Sequence, residues 1–259
     1  YNHVLPILSK NNMQFFVQNG SPTMFDVFLY QNGGSYYNED NTRSALDTKE
    51  AYQAFNEYCN LFNVRGIPTN ADFLNRMRTG EIPMGLGDFA FYMSLMVAAP
   101  ELEGRWAVAS MPGHVDAEGN LNSSVGASVS ECAMIMEQAS DKQAAWKFLE
   151  WWTDADIQSR FGREIEAMNG ISARWPSANI DAFKSMPWDR ETLEVISNSF
   201  DNIREVPVVV GGYFTSRHIT NGWNRVCISF TQSARDALEQ TVKDINKELI
   251  RRQEQYKVQ

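Results

Sequence analysis

No apolar run in this chain comes near the ~18–20 residues that a bilayer-spanning helix needs, so no membrane span is expected. Histidine is scarce. His3, His114 and His218 stand alone, without HExxH or a partner four residues away, which leaves zinc binding and a catalytic triad unsupported. There is no GxSxG, and GGYFTSR at 211–217 lacks the Gly-Lys-Ser/Thr ending of a phosphate loop. Cys59, Cys132 and Cys227 are odd in number and far apart, with no CxxC spacing for zinc or a redox pair. Three buried thiols on apolar faces are expected, and the spacing leaves a disulfide between two of them open. Basic charge is outnumbered, 23 Lys and Arg against 32 Asp and Glu. The resulting net charge of -9 has the wrong sign for a nucleic-acid surface. No Pro- or Ser-rich linker separates independent domains.

What is present is ordinary globular composition, 43% hydrophobic and 21% charged over 259 residues. That length holds one large domain or two small ones around a real core. The chain opens at Tyr1, and YNHVLPILSKNN has neither basic n-region nor apolar core, as expected of a trimmed sequence.

Periodicity predicts a helix in the first ten residues, a short strand at 13–17 and an apolar helix over 21–30 that ends at Asn32-Gly33-Gly34. Residues 35–47 form a small hairpin or loop. Asp47 and Glu50 have capping-box spacing for a helix whose Ala51, Phe55, Tyr58 and Phe62 share one face. A short helix to Gly80, a strand at 82–87, a helix and a second strand at 106–111 follow. HVDAEGNLNSS reads as a hairpin loop, and VGASVS and CAMIM as strand segments. Ser140 with Gln143 is expected to cap a helix burying Ala145, Phe148, Leu149 and Trp152; another helix starts at Thr153 and Asp156. Two helices lie within 173–197, VPVVV at 206–210 is β-like, and helices over 215–230 and from Ser233 close the chain. Few strands and many helices, without an internal repeat, give an α/β class.

The ordered pattern of 73–113, FLNRMRTGEIPMGLGDFAFYMSLMVAAPELEGRWAVASMPG, resembles the C-terminal lobe of family 1 extracellular solute-binding proteins. These are the maltose-binding-protein-like receptors of sugar-uptake ABC transporters. LYQNGGSYYNED with its capped helix, DKQAAWKFLEWWTDADIQSRFG, VPVVVGGYFTSRHITNGWNRV and ARDALEQTVKDINKELIRRQ are similar to further passages of that family, in order. The resemblance implies a periplasmic-binding-protein type II-like fold. Residues 1–126 and 206–259 would form the second ligand-binding lobe. Residues 127–205 would be a mostly helical segment returning to the first lobe, most of which has no counterpart in this chain. Trp146, Trp151, Trp152, Trp175 and Trp188 would pack in the core or toward that lobe.

The resemblance further implies a non-catalytic receptor that captures an oligosaccharide or other carbohydrate and delivers it to ABC permease subunits. It would be a monomer at the cell surface, lipid-anchored or periplasmic, with no cofactor and no metal. A peptide or other small-solute receptor of the same family is the alternative, with a carbohydrate-active enzyme domain behind it. Sugar sites need aromatic faces for stacking and planar polar groups for hydroxyls. By position these would be Asp88, Phe89, Phe91 and Tyr92 in the turn after the strand, Thr23 and Met24 at the first apolar helix, Gly126 at a crossing, and Tyr213 with Arg217. Asp88 also fits an N-cap. Three aromatics in four positions cannot all face one core, so at least one of Phe89, Phe91 and Tyr92 is expected to be exposed or in the cleft. Tyr213 follows two glycines as a stacking platform, and Arg217 lies one turn later on the same face.

Overall fold

The computed structural model describes residues 2–17, 22–116, 118–127 and 132–256, without the side chains of Pro22, Thr23 and Ala127. In chain order the elements begin with α1 (Val4–Lys10), β1 (Phe15–Val17), α2 (Pro22–Gln31), α3 (Lys49–Asn63), α4 (Phe73–Arg78) and β2 (Met84–Leu86). Next come α5 (Phe89–Ala98), β3 (His114–Val115), β4 (Leu121–Asn122), β5 (Val125–Ala127), α6 (Lys142–Thr153) and α7 (Ala155–Asn169). The chain closes with α8 (Ile180–Lys184), α9 (Arg190–Ser199), β6 (Ile203–Glu205), α10 (Thr215–Cys227) and α11 (Ala234–Tyr256).

Two compact units result. The first gathers Tyr1–Gly87, Met111–Ser128 and Asn202–Gln259; the second gathers Asp88–Ser110 and Val129–Asp201. Residues 88–110 thus fold with the second unit, whereas the family resemblance groups them with 1–126.

The first unit is built on amphipathic helices. α3 buries Ala51, Ala54, Phe55, Tyr58, Cys59, Leu61 and Phe62, and α10 buries Ile219, Trp223, Val226 and Cys227 at helical spacing. α11 closes the same core with Leu238, Val242, Ile245 and Leu249. Phe25 packs edge-on to Phe55 at 5.7 Å, and Phe62 edge-on to Trp223 at 5.1 Å. Each fully buried side chain of this size stabilises by roughly 1.5–3 kcal/mol, so this cluster carries the unit. Parallel β1–β2 and β5–β6 pairs and an antiparallel β3–β4 hairpin are its small sheets, with Gly126 opposite Arg204.

The second unit has a thinner core. α6 buries no residue fully: Ala145, Leu149 and Trp152 are half-buried and Phe148 is 58% exposed, so the expected buried stripe lacks a cover. Polar contacts compensate around α7. Arg174 forks onto Glu166, Nε to Oε2 at 2.9 Å and Nη2 to Oε1 at 2.6 Å. Buried Gln158 donates to the Trp152 carbonyl and accepts from the Trp175 indole and the Ser177 hydroxyl.

Several local expectations change. The cap of α3 is Thr48, accepting from Ala51 N, and that of α6 is Asp141, accepting from Ala144 N; neither Asp47 nor Ser140 takes the role. Asp154, one residue beyond Thr153, caps α7. Residues 106–111, 132–136 and 206–210 are not strands, because among the described residues no neighbouring strand completes a ladder for them. Of VGASVS, Val125–Ala127 forms β5 and the rest lies outside the described residues. Cys132 is exposed rather than buried, while all three thiols are free.

Candidate functional site

In the first unit, the backbone turns at Gly211, whose φ of 89° is left-handed and suits glycine. A 3-10 turn at Gly212–Phe214 then enters α10. This geometry leaves Tyr213 81% exposed, its ring perpendicular to that of Phe214 at 5.2 Å. Arg217, one turn further, is also exposed and lies 5.4 Å over the Phe214 ring. Phe214 thereby steadies both an aromatic face and a guanidinium that offers paired donors. Arg252 also lies 5.7 Å over the same ring.

Gly126 sits against α2. A Cβ built there would lie 2.5 Å from Asp26 Cβ and 2.8 Å from Asp26 Oδ2, so only glycine fits. Its importance is therefore close packing. Met24 is 5% exposed inside the core cluster, and the side chain of Thr23 lies outside the description. Beside this helix, a cavity of about 550 Å³ is lined by Tyr30, Tyr36, Tyr37, Asn122, Arg204 and Glu205 among others. Tyr30 donates to the Glu205 carbonyl at 3.0 Å and Tyr37 bonds Thr215 at 2.8 Å. Burial pushes both phenols above their ordinary pKa.

In the second unit, Asp88 is the N-cap of α5: its Oδ1 accepts from Phe91 N at 2.9 Å. The carboxylate remains exposed, so capping leaves lone pairs free for hydroxyls. Phe89 is half-buried, stacked on Tyr92 at 5.8 Å and edge-on to Trp188 at 5.9 Å. Tyr92 is buried and meets Trp106 edge-on at 5.6 Å. Phe91 is half-buried as well. Arg174 lies 4.7 Å over Trp188, so the cluster ends in a paired cation.

Tyr92 and Trp106 also line a cavity of about 540 Å³ with Leu95, Met96, Asp189 and Glu191. Burial raises the Tyr92 pKa and Asp189 adds to it, while Arg174 and, less, Thr192 oppose the rise. Sequence reading missed Trp106 and Asp189 here. Trp106 was assigned to a strand, and Asp189 carries only a local signal, the N-cap position ahead of α9. The structure brings Asp88, Phe89, Phe91 and Tyr92 together in the second unit and Tyr213 and Arg217 together in the first. Among the described residues, no group of three or more His, Cys, Asp or Glu is arranged to hold a metal, and no helix is long and apolar enough to cross a membrane.

No protein-family model and no curated protein matches the chain. Solved structures do. The solute-binding protein of an ABC transporter from Thermotoga lettingae, bound with alpha-D-tagatose, aligns at TM-score 0.66 and 20% identity over 96% of this chain and 63% of that one. The sugar-binding protein MalE from Xanthomonas citri aligns at 0.71 and 14% identity, over 95% and 60%. An ABC substrate-binding protein from Listeria monocytogenes, in complex with cycloalternan, aligns at 0.66 and 19%, over 92% and 59%. The chain spans about three fifths of the length of these proteins. Its fold, an α/β periplasmic-binding-protein arrangement, is that of the MalE-like sugar-binding proteins of ABC transporters.

Proposed function

We propose that the chain belongs to a solute-binding receptor of an ABC importer, capturing an oligosaccharide or other carbohydrate without chemical change. The observation that carries this reading is Tyr213, an 81% exposed ring steadied by Phe214, with the Arg217 guanidinium one turn along the helix. A ring face stacks on the apolar C–H side of a sugar, and a forked donor takes its hydroxyls. Asp88 and Phe89 offer the same pair of chemistries in the second unit, with Phe91 and Tyr92 behind them. Asp88 keeps free carboxylate lone pairs.

We assign the first unit, which holds most of 1–126 and 206–259, to the second lobe, and 127–205, with which 88–110 fold, to the segment that packs on a further lobe. Trp146, Phe148 and Trp151 on α6, with Met134 and Met136 before it, are more than half exposed, an apolar surface suited to such cover. Permease subunits as partners, a monomeric state and a cell-surface location follow from the same reading.

A thermal-shift panel tests it, with mono- and oligosaccharides beside di- to pentapeptides and recovery of each sugar afterwards. Ligand at about 100 times its Kd adds roughly 2.7 kcal/mol, on the order of 5–10 °C at this size. A shift with a sugar recovered intact is expected, and Tyr213→Ala should weaken that sugar about tenfold, equivalent to one stacking contact. Shifts with peptides alone, or a hydrolysed sugar, would overturn the carbohydrate-receptor reading.

A further inference from the structure

Cys59 and Cys227 are brought together from distant parts of the chain, 168 residues apart. Cys59 lies in α3, Cys227 ends α10, and both sit in the core cluster at 1% and 2% exposure. The Cys227 thiol points at the Cys59 carbonyl, Sγ to O at 3.8 Å. One turn along, Asn63 Nδ2 donates to the Val226 carbonyl at 3.2 Å. That bond holds the ends of α3 and α10 side by side, so the pairing is a fixed feature of the helix packing.

We propose that Cys59 and Cys227 form a disulfide that ties α3 to α10 when the chain folds in the presence of a small-molecule disulfide. Other uses of the pair fail. Two thiols alone do not make a metal site, and among the described residues no third His, Cys, Asp or Glu completes one. A nucleophilic role needs an accessible thiolate; the neighbouring Cys227 thiol, and then burial, push the Cys59 pKa up instead. A sulfur–sulfur bond asks only for the proximity that the helices supply.

The exchange balances with glutathione disulfide as oxidant. One cysteine thiolate attacks a glutathione sulfur, forming a mixed disulfide and releasing one glutathione thiolate. The second cysteine thiolate attacks the protein sulfur, forming the Cys59–Cys227 bond and releasing the other. The two cysteine protons end on the two glutathione thiols, and the oxidant is reduced by two electrons. Because the native pair is buried, this occurs before the core closes. The bond would join the first and third chain segments of the first unit across both insertions, Asp88–Ser110 and Val129–Asp201.

The test is to unfold the chain, refold it with reduced and oxidised glutathione, and isolate the folded monomer by size exclusion. Iodoacetamide is then added in denaturant without reductant, and the product is mapped by mass spectrometry. One label is expected, on exposed Cys132, with a Cys59–Cys227 peptide two hydrogens lighter than the dithiol. Reducing that monomer should lower its Tm on the order of 5–15 °C, since the bond closes a long loop. Three labels, a bond through Cys132, or an unchanged Tm on reduction would overturn the proposal.

Discussion

Asp26 is 3% exposed, its Oδ1 has no hydrogen-bond partner among the described residues, and its Cβ lies beneath Gly126. Desolvation raises its pKa from 3.8 to about 7. The folded state therefore holds a proton that the unfolded chain releases near 3.8, so stability falls as pH rises between those values. Above about 7 the full penalty is present, on the order of a few kcal/mol. Tyr30, Tyr37 and Glu205 are ionisable neighbours of this corner. The Tm is expected to drop from pH 5 to 8, and Asp26→Asn should flatten that slope; an Asn variant with the parent's slope would clear the carboxylate of blame. At Asp88 the residue's two roles can be separated. Asp88→Asn keeps the cap and loses the charge, whereas Asp88→Ala loses both and costs about 1 kcal/mol. If sugar affinity, read by thermal shift, survives in Asn and the cap loss appears only in Ala, hydroxyl acceptance needs no charge.

Helix ends illustrate what a sequence leaves ambiguous. Asp47-Thr48 and Ser140-Asp141 are each two adjacent capping residues, and the capping-box spacing selected the first of each pair. Backbone geometry selects the second: Thr48 is extended at φ -87°, ψ 163°, with its hydroxyl on Ala51 N at 3.3 Å. Thr48→Ala should lower the unfolding free energy by about 1 kcal/mol. Asp47→Ala should stay within roughly 0.5 kcal/mol, and urea titrations of the two compare them directly. The amphipathic helices were legible because 3.6-residue periodicity survives any arrangement of neighbours. Trp106 to Met111 and Cys132 to Met136 carried strand-like patterns that could not reveal whether a neighbouring strand would be present. Of the candidate residues, spacing alone puts Arg217 about one turn beyond Tyr213, and both are exposed beside Phe214. Met24, equally apolar and equally near a helix start, could not be told from a core residue until α3 packed against it.

At the scale of the molecule, the two units differ in how much they bury. The first holds the continuous cluster from Val17 to Leu249. In the second, Tyr92, Leu95, Ala99, Ala182, Phe183 and Met186 are the buried hydrophobics among the described residues, and α6 contributes none. At roughly 1.5–3 kcal/mol per buried side chain, the second unit has much less to set against its chain entropy. It should therefore unfold first, and unfolding should not be two-state. The tryptophans make this visible. Six of the seven, Trp106, Trp146, Trp151, Trp152, Trp175 and Trp188, belong to the second unit, while Trp223 lies in the first. Helical signal comes from both units, and the buried thiols of Cys59 and Cys227 report the first alone. In urea with reductant, indole emission should shift at a lower midpoint than the loss of helical signal. Thiol labelling beyond Cys132 should begin only with the later phase. Coincident midpoints for all three probes would mean that the units unfold as one, and would sink this ordering of their stabilities.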